Sequence, residues 1–219
     1  MKALVIVFLF ICFPLMAGST MRISAAAGAN ALPEVLDMIS SAYAIMGYKI
    51  ELLGMPAKRA LRQARDNPNI DAELARSQLV ENYLTNYIRI PVPVKTLVVS
   101  AFVVDDSIHV SQWQQLTPYR VGLVRGHLAF HEQLKNHPAV EYFTSANQAI
   151  TMLERGRVDV VILPKQIGEY AIKKYWHKQT RAVTPPIDQI YLYHYLNQKH
   201  QAIASELTHI LQQLTIQSE

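Results

Sequence analysis

The chain has 219 residues, half of them hydrophobic, and a formal net charge of +4 at pH 7. This length can form one large domain or two small lobes with an apolar core. The charge is mild and the basic residues are spread along the sequence, which argues against a nucleic-acid-binding protein. A single cysteine excludes an intramolecular disulfide bond.

Residues 1–19 have the pattern of a cleavable secretory signal peptide. Ala3 to Phe13 is an unbroken apolar run, and Ala17-Gly18-Ser19 offers small residues for cleavage. The run is shorter than the roughly 20 apolar residues that cross a bilayer. Cys12 lies inside the run and not behind the small residues that mark a lipoprotein. We therefore expect cleavage before Thr20 and a free, soluble periplasmic protein without cysteine.

The first half of the mature chain alternates between strand and helix patterns. The pattern predicts, in order, a strand from Arg22 to Ala27, a helix from Pro33 to Met46, a strand from Lys49 to Leu53, a helix from Ala57 to Arg65 and a strand from Ile70 to Leu74. A proline suits the first turn of the first helix, and Gly47 is a suitable stop.

The second half has two runs rich in β-branched residues, Leu97–Val104 and Val158–Leu163. Such runs are typical of strands that are buried on both faces of a helix-covered parallel sheet. The other predicted elements are a strand from Arg120 to Val124, a helix from about Leu128, a helix from Ser145 to Arg155, a strand from Ile190 to Leu196 and a helix from His200 to Leu214. This alternation predicts an α/β fold.

One local pattern occurs twice. Ile70-Asp71 and Val158-Asp159 each open a predicted strand after a helix and a turn, and the aspartates are 88 residues apart (159 − 71 = 88). Chance can produce such a pair; the functional interpretation is two similar lobes. The extended segment with Pro91 and Pro93 would then carry the chain into the second lobe, and the stretch around Pro185-Pro186 would bring it back.

Six short motifs follow one another in a fairly specific order over nearly the whole mature chain. They are Tyr43–Gly47 with Lys49-Ile50-Glu51; Pro56–Leu61; Ile70–Arg76; Ile88–Pro93; Arg157–Val160; and Leu192–Asn197 with Lys199-His200. In this order they resemble the type 2 periplasmic solute-binding proteins. The similarity is to the bacterial extracellular solute-binding protein family 3, which serves amino-acid ABC transporters, and within it to a short, divergent branch.

The resemblance implies two lobes, each a mostly parallel sheet flanked by helices, joined by a two-segment hinge. The first lobe would comprise residues 20–101 and 181–219, and the second lobe residues 102–180. A small-molecule ligand would be held in the cleft between them, as hinge closure allows. We expect a monomer that binds without catalysing a reaction, needs no cofactor, and works with an inner-membrane permease or a sensor.

The chain also departs from the family's pattern. Typical amino-acid binders place an arginine for the ligand carboxylate about a dozen residues after the first strand opening, where this chain has Glu81-Asn82-Tyr83-Leu84. They place an acidic residue after the second buried strand, where this chain has Pro164 and Lys165. A standard L-amino-acid ligand is therefore in question. The alternative is a sensory or accessory periplasmic protein of the same fold with a degenerate cleft.

Arg59, Glu73 and Arg76 are the first candidates for contact with the ligand. Arg59 lies in the first turn of its helix, where backbone N–H groups also favour anions. Glu73 and Arg76 lie at or just beyond the C-terminal end of a strand, where open α/β sheets bind ligands. The alternative is that Arg59, Arg62 and Arg65 form a solvated helix face and that Glu73 pairs with one of them.

The segment Arg125-Gly126-His127 connects a predicted strand to a helix and is the second candidate. In the resembled family this turn approaches the ligand with backbone N–H groups, and a glycine allows close approach. An ordinary strand-to-helix connection is the equal alternative. Together with Arg59 and Arg76, Arg125 favours a small polar ligand that carries negative charge.

Other chemistry-bearing residues have simpler explanations. His127 and His131 stand four apart beside Glu132, but surface histidines explain them better than a metal site. The alternating Tyr191, Tyr193 and Tyr195 favour a strand with one face in a core over aromatic stacking at the cleft. The sequence contains neither a Gly-x-Ser-x-Gly elbow nor a phosphate loop.

Overall fold

The computed structural model describes residues 19–26, 32–126, 128–176 and 179–216. The signal-peptide prediction therefore falls almost entirely outside the described residues, as does His127. No helix in the described ranges is both long enough and apolar enough to cross a membrane.

Strands and helices alternate through the described chain. The strands are β1 (Thr20–Ala26), β2 (Lys49–Met55), β3 (Ala72–Ser77), β4 (Tyr87–Val103), β5 (Val121–Val124), β6 (Val140–Phe143), β7 (Val160–Pro164), β8 (Arg181–Ala182) and β9 (Asp188–Asn197). The α-helices are α1 (Pro33–Ile45), α2 (Ala57–Asp66), α3 (Leu128–Gln133), α4 (Ala146–Glu154), α5 (Lys165–Tyr175) and α6 (Ala204–Ile216), and 3₁₀ helices cover Gln78–Val80, Trp113–Leu116 and Gln198–Ile203.

One mixed sheet connects all nine strands, in the order β2-β1-β3-β9-β4-β7-β5-β6, with β8 beside β4. The strands β2, β1 and β3 are mutually parallel, and so are β6, β5 and β7. In each half an antiparallel long strand follows, β9 beside β3 and β4 beside β7. The two halves therefore have the same topology, which confirms the α/β prediction. We call the half with β1–β3 the first lobe and the half with β5–β7 the second lobe.

The two long strands β4 and β9 pair antiparallel with each other and join the lobes. β4 begins at Tyr87, ten residues before the predicted strand, so the segment with Pro91 and Pro93 is itself part of the strand. Among the described residues, this part of β4 pairs with β9 alone and is an edge, with register shifts on both sides of Pro93. Prolines are tolerated in strands at edges and bulges. The lobe bounds given above stay a prediction.

The aspartates of the repeated pattern make matching contacts in the two lobes. The carboxylate of Asp71 accepts a hydrogen bond from the backbone N–H of Arg22 at 2.7 Å, and Asp159 accepts one from the backbone N–H of Arg120 at 2.8 Å. In return, the N–H of each aspartate donates to the carbonyl of the same arginine at 2.8 Å. The repeat seen in the sequence is therefore a structural repeat, in which each aspartate ties the third strand of its lobe to the first.

Helices cover both faces of each lobe. In the second lobe, Val160 and Ile162 belong to the core cluster that contains Phe130 of α3, while Val161 and Leu163 belong to the cluster on the opposite face with α4 and α5. Successive side chains of a strand point to opposite faces. A strand that is covered on both faces therefore has a continuous apolar sequence. The parallel pairing expected from this pattern holds for β7 beside β5, but it is wrong for the run from Leu97, because β4 is antiparallel to β7, β8 and β9.

Candidate functional site

A buried carboxylate lies between β1 and β3 in the first lobe. The register of these parallel strands sets Ser24 beside Glu73. Their neighbours Ile23, Ala72 and Leu74 face the core with α1, so Ser24 and Glu73 point to the opposite face, which α2 covers. The Ser24 hydroxyl donates a hydrogen bond to Glu73 Oε2, and the Glu73 side chain is fully buried.

Arg76 supplies the counter-charge. A bulge in the pairing of β3 with β9, between Glu73 and Arg76, returns the Arg76 side chain to the side of Glu73. Arg76 Nε lies 2.6 Å from Glu73 Oε1, and its Nη2 donates to the carbonyl of Ala57 at 3.3 Å. Burial raises the pKa of the Glu73 carboxyl, although Arg76 and Ser24 both act to lower it. The Arg76 guanidinium is thus already engaged by the chain's own carboxylate.

The first turn of α2 meets the second lobe at Gly126. This glycine has φ +98°, and a Cβ atom added there would lie 3.0 Å from the Cβ of Ala57. Only glycine allows both the backbone conformation and the approach. Nearby, Leu128 of α3 packs against an apolar cluster of the first lobe that contains Ile70 and Leu84. We call the contact between the start of α2 and the turn from β5 to α3 the lobe seam.

The sequence-predicted site residues have different surroundings. Glu73 and Arg76 form an ion pair with each other. The alternative interpretation also paired Glu73 with an arginine, but with one of the arginines of the α2 face. Arg59, two residues after Ala57 on α2, and Arg125, next to Gly126, are both exposed. Neither is ion-paired with a carboxylate within the described residues. Contact of any of them with a ligand stays a prediction.

Histidine positions near this turn give no metal centre in the part of the chain that the structure describes. His131 Nδ1 lies 2.7 Å from the hydroxyl of Tyr142, and both side chains are exposed. Within the described ranges, no three or more His, Cys, Asp or Glu side chains are close enough to share a metal ion.

The two positions of the missing amino-acid clamp are filled by the protein itself. Leu84 is buried against α2 and β9, while Glu81 pairs with Arg89 at 2.8 Å. In the second lobe, Pro164 is a buried residue at the end of β7, and Lys165 lies 3.8 Å from Glu169. Neither position presents the arginine or the acidic group that holds an amino acid in the resembled family.

A groove that the sequence did not predict lies beside the seam. It has a volume of about 230 Å³ and runs between the 3₁₀ helix Gln78–Val80, α3 and β9. Polar groups from both lobes line it, among them Gln78, Gln133 and Asp188, and so does the ring of Tyr191. The sequence signal for this groove is the alternation of Tyr191, Tyr193 and Tyr195 along β9. Alternation alone cannot show which other elements face that strand.

Comparisons with known proteins identify the fold. No family model matches the chain, and no curated protein sequence matches it. A histidine kinase sensor domain with similarity to periplasmic binding proteins superposes with a TM-score of 0.74, at 15% identity over 92% of each chain. Holo ArgBP from T. maritima superposes with a TM-score of 0.68, at 13% identity, covering 90% of this chain and 91% of that protein.

An amino acid ABC transporter substrate-binding protein from Streptococcus pneumoniae, bound to L-arginine, gives a TM-score of 0.67 at 11% identity, over 92% of this chain and 91% of that protein. These similarities cover nearly the whole of each chain. At such low identity they establish the fold alone. The chain has the two-lobed fold of periplasmic binding proteins, which confirms the resemblance at the level of the fold.

Proposed function

We propose, from the premise of this two-lobed fold, that the chain is a periplasmic solute-binding protein that captures a small anionic ligand between its lobes. Binding would occur by closure about β4 and β9, the two strands that join the lobes. The lobes would follow the predicted bounds, 20–101 with 181–219 and 102–180. The protein would deliver the ligand to an ABC-type permease and would not be an enzyme.

The observation that carries this proposal is the close approach of Gly126 to Ala57 at the lobe seam. It sets Arg125 of the second lobe and the first turn of α2, with Arg59, on the two sides of one contact. Both arginines are exposed, and Arg76 is already paired with Glu73. The first turn of a helix adds partial positive charge. An anion that bridges the two arginines would stabilise the closed arrangement.

Export is supported by where the fold begins. β1 starts at Thr20, and cleavage before this residue would remove one flanking hydrogen bond, from the N–H of Lys49 to the carbonyl of Ser19 at 3.1 Å. Cleavage before Thr20 would leave β1 intact, whereas a cut after Ala27 would remove it. The proposed mature protein therefore keeps the whole sheet and leaves Cys12 behind with the signal peptide.

The test is a thermal-shift and calorimetric screen of small anions, such as dicarboxylates, acidic amino acids and inorganic phosphate, with L-arginine as a cationic contrast. A ligand at one hundred times its Kd should raise Tm by about 5–10 °C. The variants Arg59→Gln and Arg125→Gln should each weaken binding by about 10- to 100-fold.

Matched controls are Arg62→Gln, on the same helix as Arg59, and Arg155→Gln, at the end of α4 in the second lobe. Both control arginines are exposed, and their substitution should leave affinity unchanged. The proposal fails if no anion stabilises the protein, or if the control variants weaken binding as much as the seam variants.

A sensory role is the second candidate. Two observations favour it: the clamp positions are filled by Leu84 and Pro164, and the buried Glu73–Arg76 pair occupies charges that a cleft could otherwise offer. In that case closure would be read by a membrane partner and no solute would be transported. Deleting the gene distinguishes the two roles, because loss of ligand uptake supports transport, whereas unchanged uptake with a lost transcriptional response supports sensing.

A further inference from the structure

Exposed aromatic and lysine side chains gather at the C-terminal end of α5 in the second lobe. We call Tyr170, Lys173, Lys174, Tyr175 and Trp176 the α5 patch. Trp176 is 76% exposed and Tyr170 is 61% exposed. Nine large hydrophobic side chains are exposed in the described residues, and three of them, Tyr170, Tyr175 and Trp176, lie within positions 170–176. Such concentration on a protein surface marks an interaction site more often than chance exposure does.

The backbone at Trp176 strengthens this interpretation. Trp176 caps α5 in the left-handed conformation, with φ 60° and ψ 37°, and its N–H donates to the carbonyl of Ile172. Glycine or asparagine usually occupies such a cap, because a Cβ atom there is unfavourable. A tryptophan at this position exposes a large ring and strains the backbone. The fold thus carries a backbone cost at a residue whose ring is largely exposed.

The lysines of the α5 patch lie against its rings. Lys174 Nζ is 5.3 Å from the ring centroid of Tyr170 and 5.4 Å from that of Tyr175. Lys173 is exposed beside them. In the described part of the chain, no carboxylate pairs with Lys173 or Lys174. Aromatic rings with an apolar body and a polar edge, flanked by lysines, suit the headgroup layer of a bilayer.

We infer that the α5 patch binds the anionic surface of a lipid bilayer. Lysine is depleted at protein–protein interfaces, so the two lysines favour lipid over a protein partner. The aromatic rings would enter the headgroup layer while the lysines contact lipid phosphates. The net charge, which is +3 once Lys2 is removed with the signal peptide (4 − 1 = 3), would draw the chain to the same surface. This attachment is independent of the ligand at the lobe seam and would hold the protein beside a membrane partner.

Vesicle co-sedimentation tests the inference. Residues 19–219 keep every described contact and lack the apolar N-terminal run, which would itself bind lipid. This chain should partition to vesicles of phosphatidylcholine with phosphatidylglycerol, and binding should weaken as salt rises. The double variant Lys173→Gln/Lys174→Gln should lower the partition coefficient about thirtyfold, because each lysine near an anionic surface contributes about a factor of five.

The aromatic part needs its own variant. Trp176→Asn suits the left-handed cap, so the fold should be at least as stable while lipid binding falls. With Trp113→Phe as background, Trp176 is the only tryptophan of the chain, and its fluorescence should shift to the blue on binding. Tyr191→Ser removes a ring that is 50% exposed outside the α5 patch and should leave partition unchanged.

Three results would overturn the inference. One is no partition to anionic vesicles at low salt. Another is equal binding to pure phosphatidylcholine vesicles. The third is wild-type partition by both Trp176→Asn and the double lysine variant. Each of these leaves the anion screen at the lobe seam unaffected, so the two proposals fail separately.

Discussion

Asp71 in the first lobe and Asp159 in the second lobe make the same backbone contact in different surroundings. Asp159 pairs with the guanidinium of Arg120, at 2.6 Å from Oδ1 to Nη2, on the surface. Asp71 is nearly buried, and its Oδ1 lies 2.7 Å from both Lys199 Nζ and His200 Nε2, which follow β9. Asp71 therefore also holds the C-terminal segment, whereas the contacts of Asp159 stay within its own lobe.

The same contrast runs through the two interiors. Six of the eight buried polar or charged side chains in the described residues belong to the first lobe or the strand beside it: Ser24, Asp71, Glu73, Arg76, His194 and Asn197. The other two are Ser100 and Thr180, which carry uncharged hydroxyl groups. The buried charged side chains of the described residues therefore all belong to the first lobe. We expect charge and pH to govern the first lobe far more than the second.

The largest expected effect is that of Arg76→Met. It leaves the buried Glu73 carboxylate without its counter-charge, and we expect a loss of about 3–5 kcal/mol in the free energy of unfolding. In the second lobe, Arg157 pairs with Glu141 at 2.7 Å, with both side chains exposed. Arg157→Met should cost less than about 1 kcal/mol. Urea denaturation measures both.

A double variant provides the control for the Arg76→Met prediction. Glu73→Gln with Arg76→Met removes both charges and keeps an acceptor for the Ser24 hydroxyl, so it should recover most of the loss. Similar losses for the two single methionine variants would remove the contrast between the lobes.

The next effect is the pH dependence from His194. This side chain is fully buried, where Nδ1 lies 3.1 Å from the Leu74 carbonyl and Nε2 lies 3.0 Å from the Tyr43 hydroxyl. Burial lowers the pKa of His194 from 6.5 to about 4. The unfolded chain therefore binds this proton at higher pH than the folded chain. The contribution of His194 to the free energy of unfolding is therefore fully present above pH 6.5, and about 3 kcal/mol of it is lost as the pH approaches 4.

Two variants isolate this contribution. His194→Gln can still donate and accept a hydrogen bond but does not titrate, so its stability should fall less between pH 6.5 and 4. His131→Gln, at an exposed second-lobe position, should keep the wild-type profile. Parallel profiles for the wild type and His194→Gln would contradict the assignment.

A smaller difference is expected between the two aspartates themselves. Asn at either position keeps an acceptor for the backbone N–H. Asp71→Asn also loses the charged contacts of Lys199 and His200, and should cost about 2 kcal/mol. Asp159→Asn loses an exposed pair and should cost about 1 kcal/mol or less. Only Asp71→Asn should speed hydrogen exchange in α6, and equal exchange in both variants would argue against the C-terminal role.

The smallest difference should appear where the two lobes are alike. Gly47 ends α1 with φ +80° and Gly156 follows α4 with φ +66°, and a Cβ atom at either would meet nothing within 4 Å. Alanine at each should cost about 1 kcal/mol from backbone strain alone. Equal losses on thermal unfolding are expected. Unequal losses would show that the lobes differ in more than their side-chain networks.

Elements with strong local signals were predicted closely. α1 begins at the predicted Pro33 and ends one residue earlier than predicted. Ser145 caps α4 by accepting a hydrogen bond from the backbone N–H of Gln148. By contrast, α5 and β6 were not predicted. Gly168 interrupts the helical pattern of α5, and a Cβ atom there would lie 2.1 Å from the Phe102 ring. That glycine is explained only by a packing partner 66 positions away (168 − 102 = 66).

The site was predicted only in part. The sequence predicts Glu73 and Arg76 at or just beyond the C-terminal end of a strand, whereas both lie within β3, Glu73 as its second residue. Their pairing depends on the bulge in β3, which leaves no local signal. The groove beside the seam joins Gln78, Gln133 and Asp188 from three distant segments. Spacing along a chain cannot bring such residues together. Only the packing of the two lobes does so.

The amino-acid sequence by itself determined most of the order of strands and helices, the twofold repeat and the strands that are buried on both faces, because these depend on periodicity and on caps within a few residues. The tertiary structure decided how the charges are used. Asp71 and Asp159 share one local pattern and one backbone contact, yet their carboxylates meet different side chains, because Lys199 and His200 contact Asp71 whereas Arg120 contacts Asp159. Chain segments that are remote in sequence supply those partners, and folding alone sets their distance.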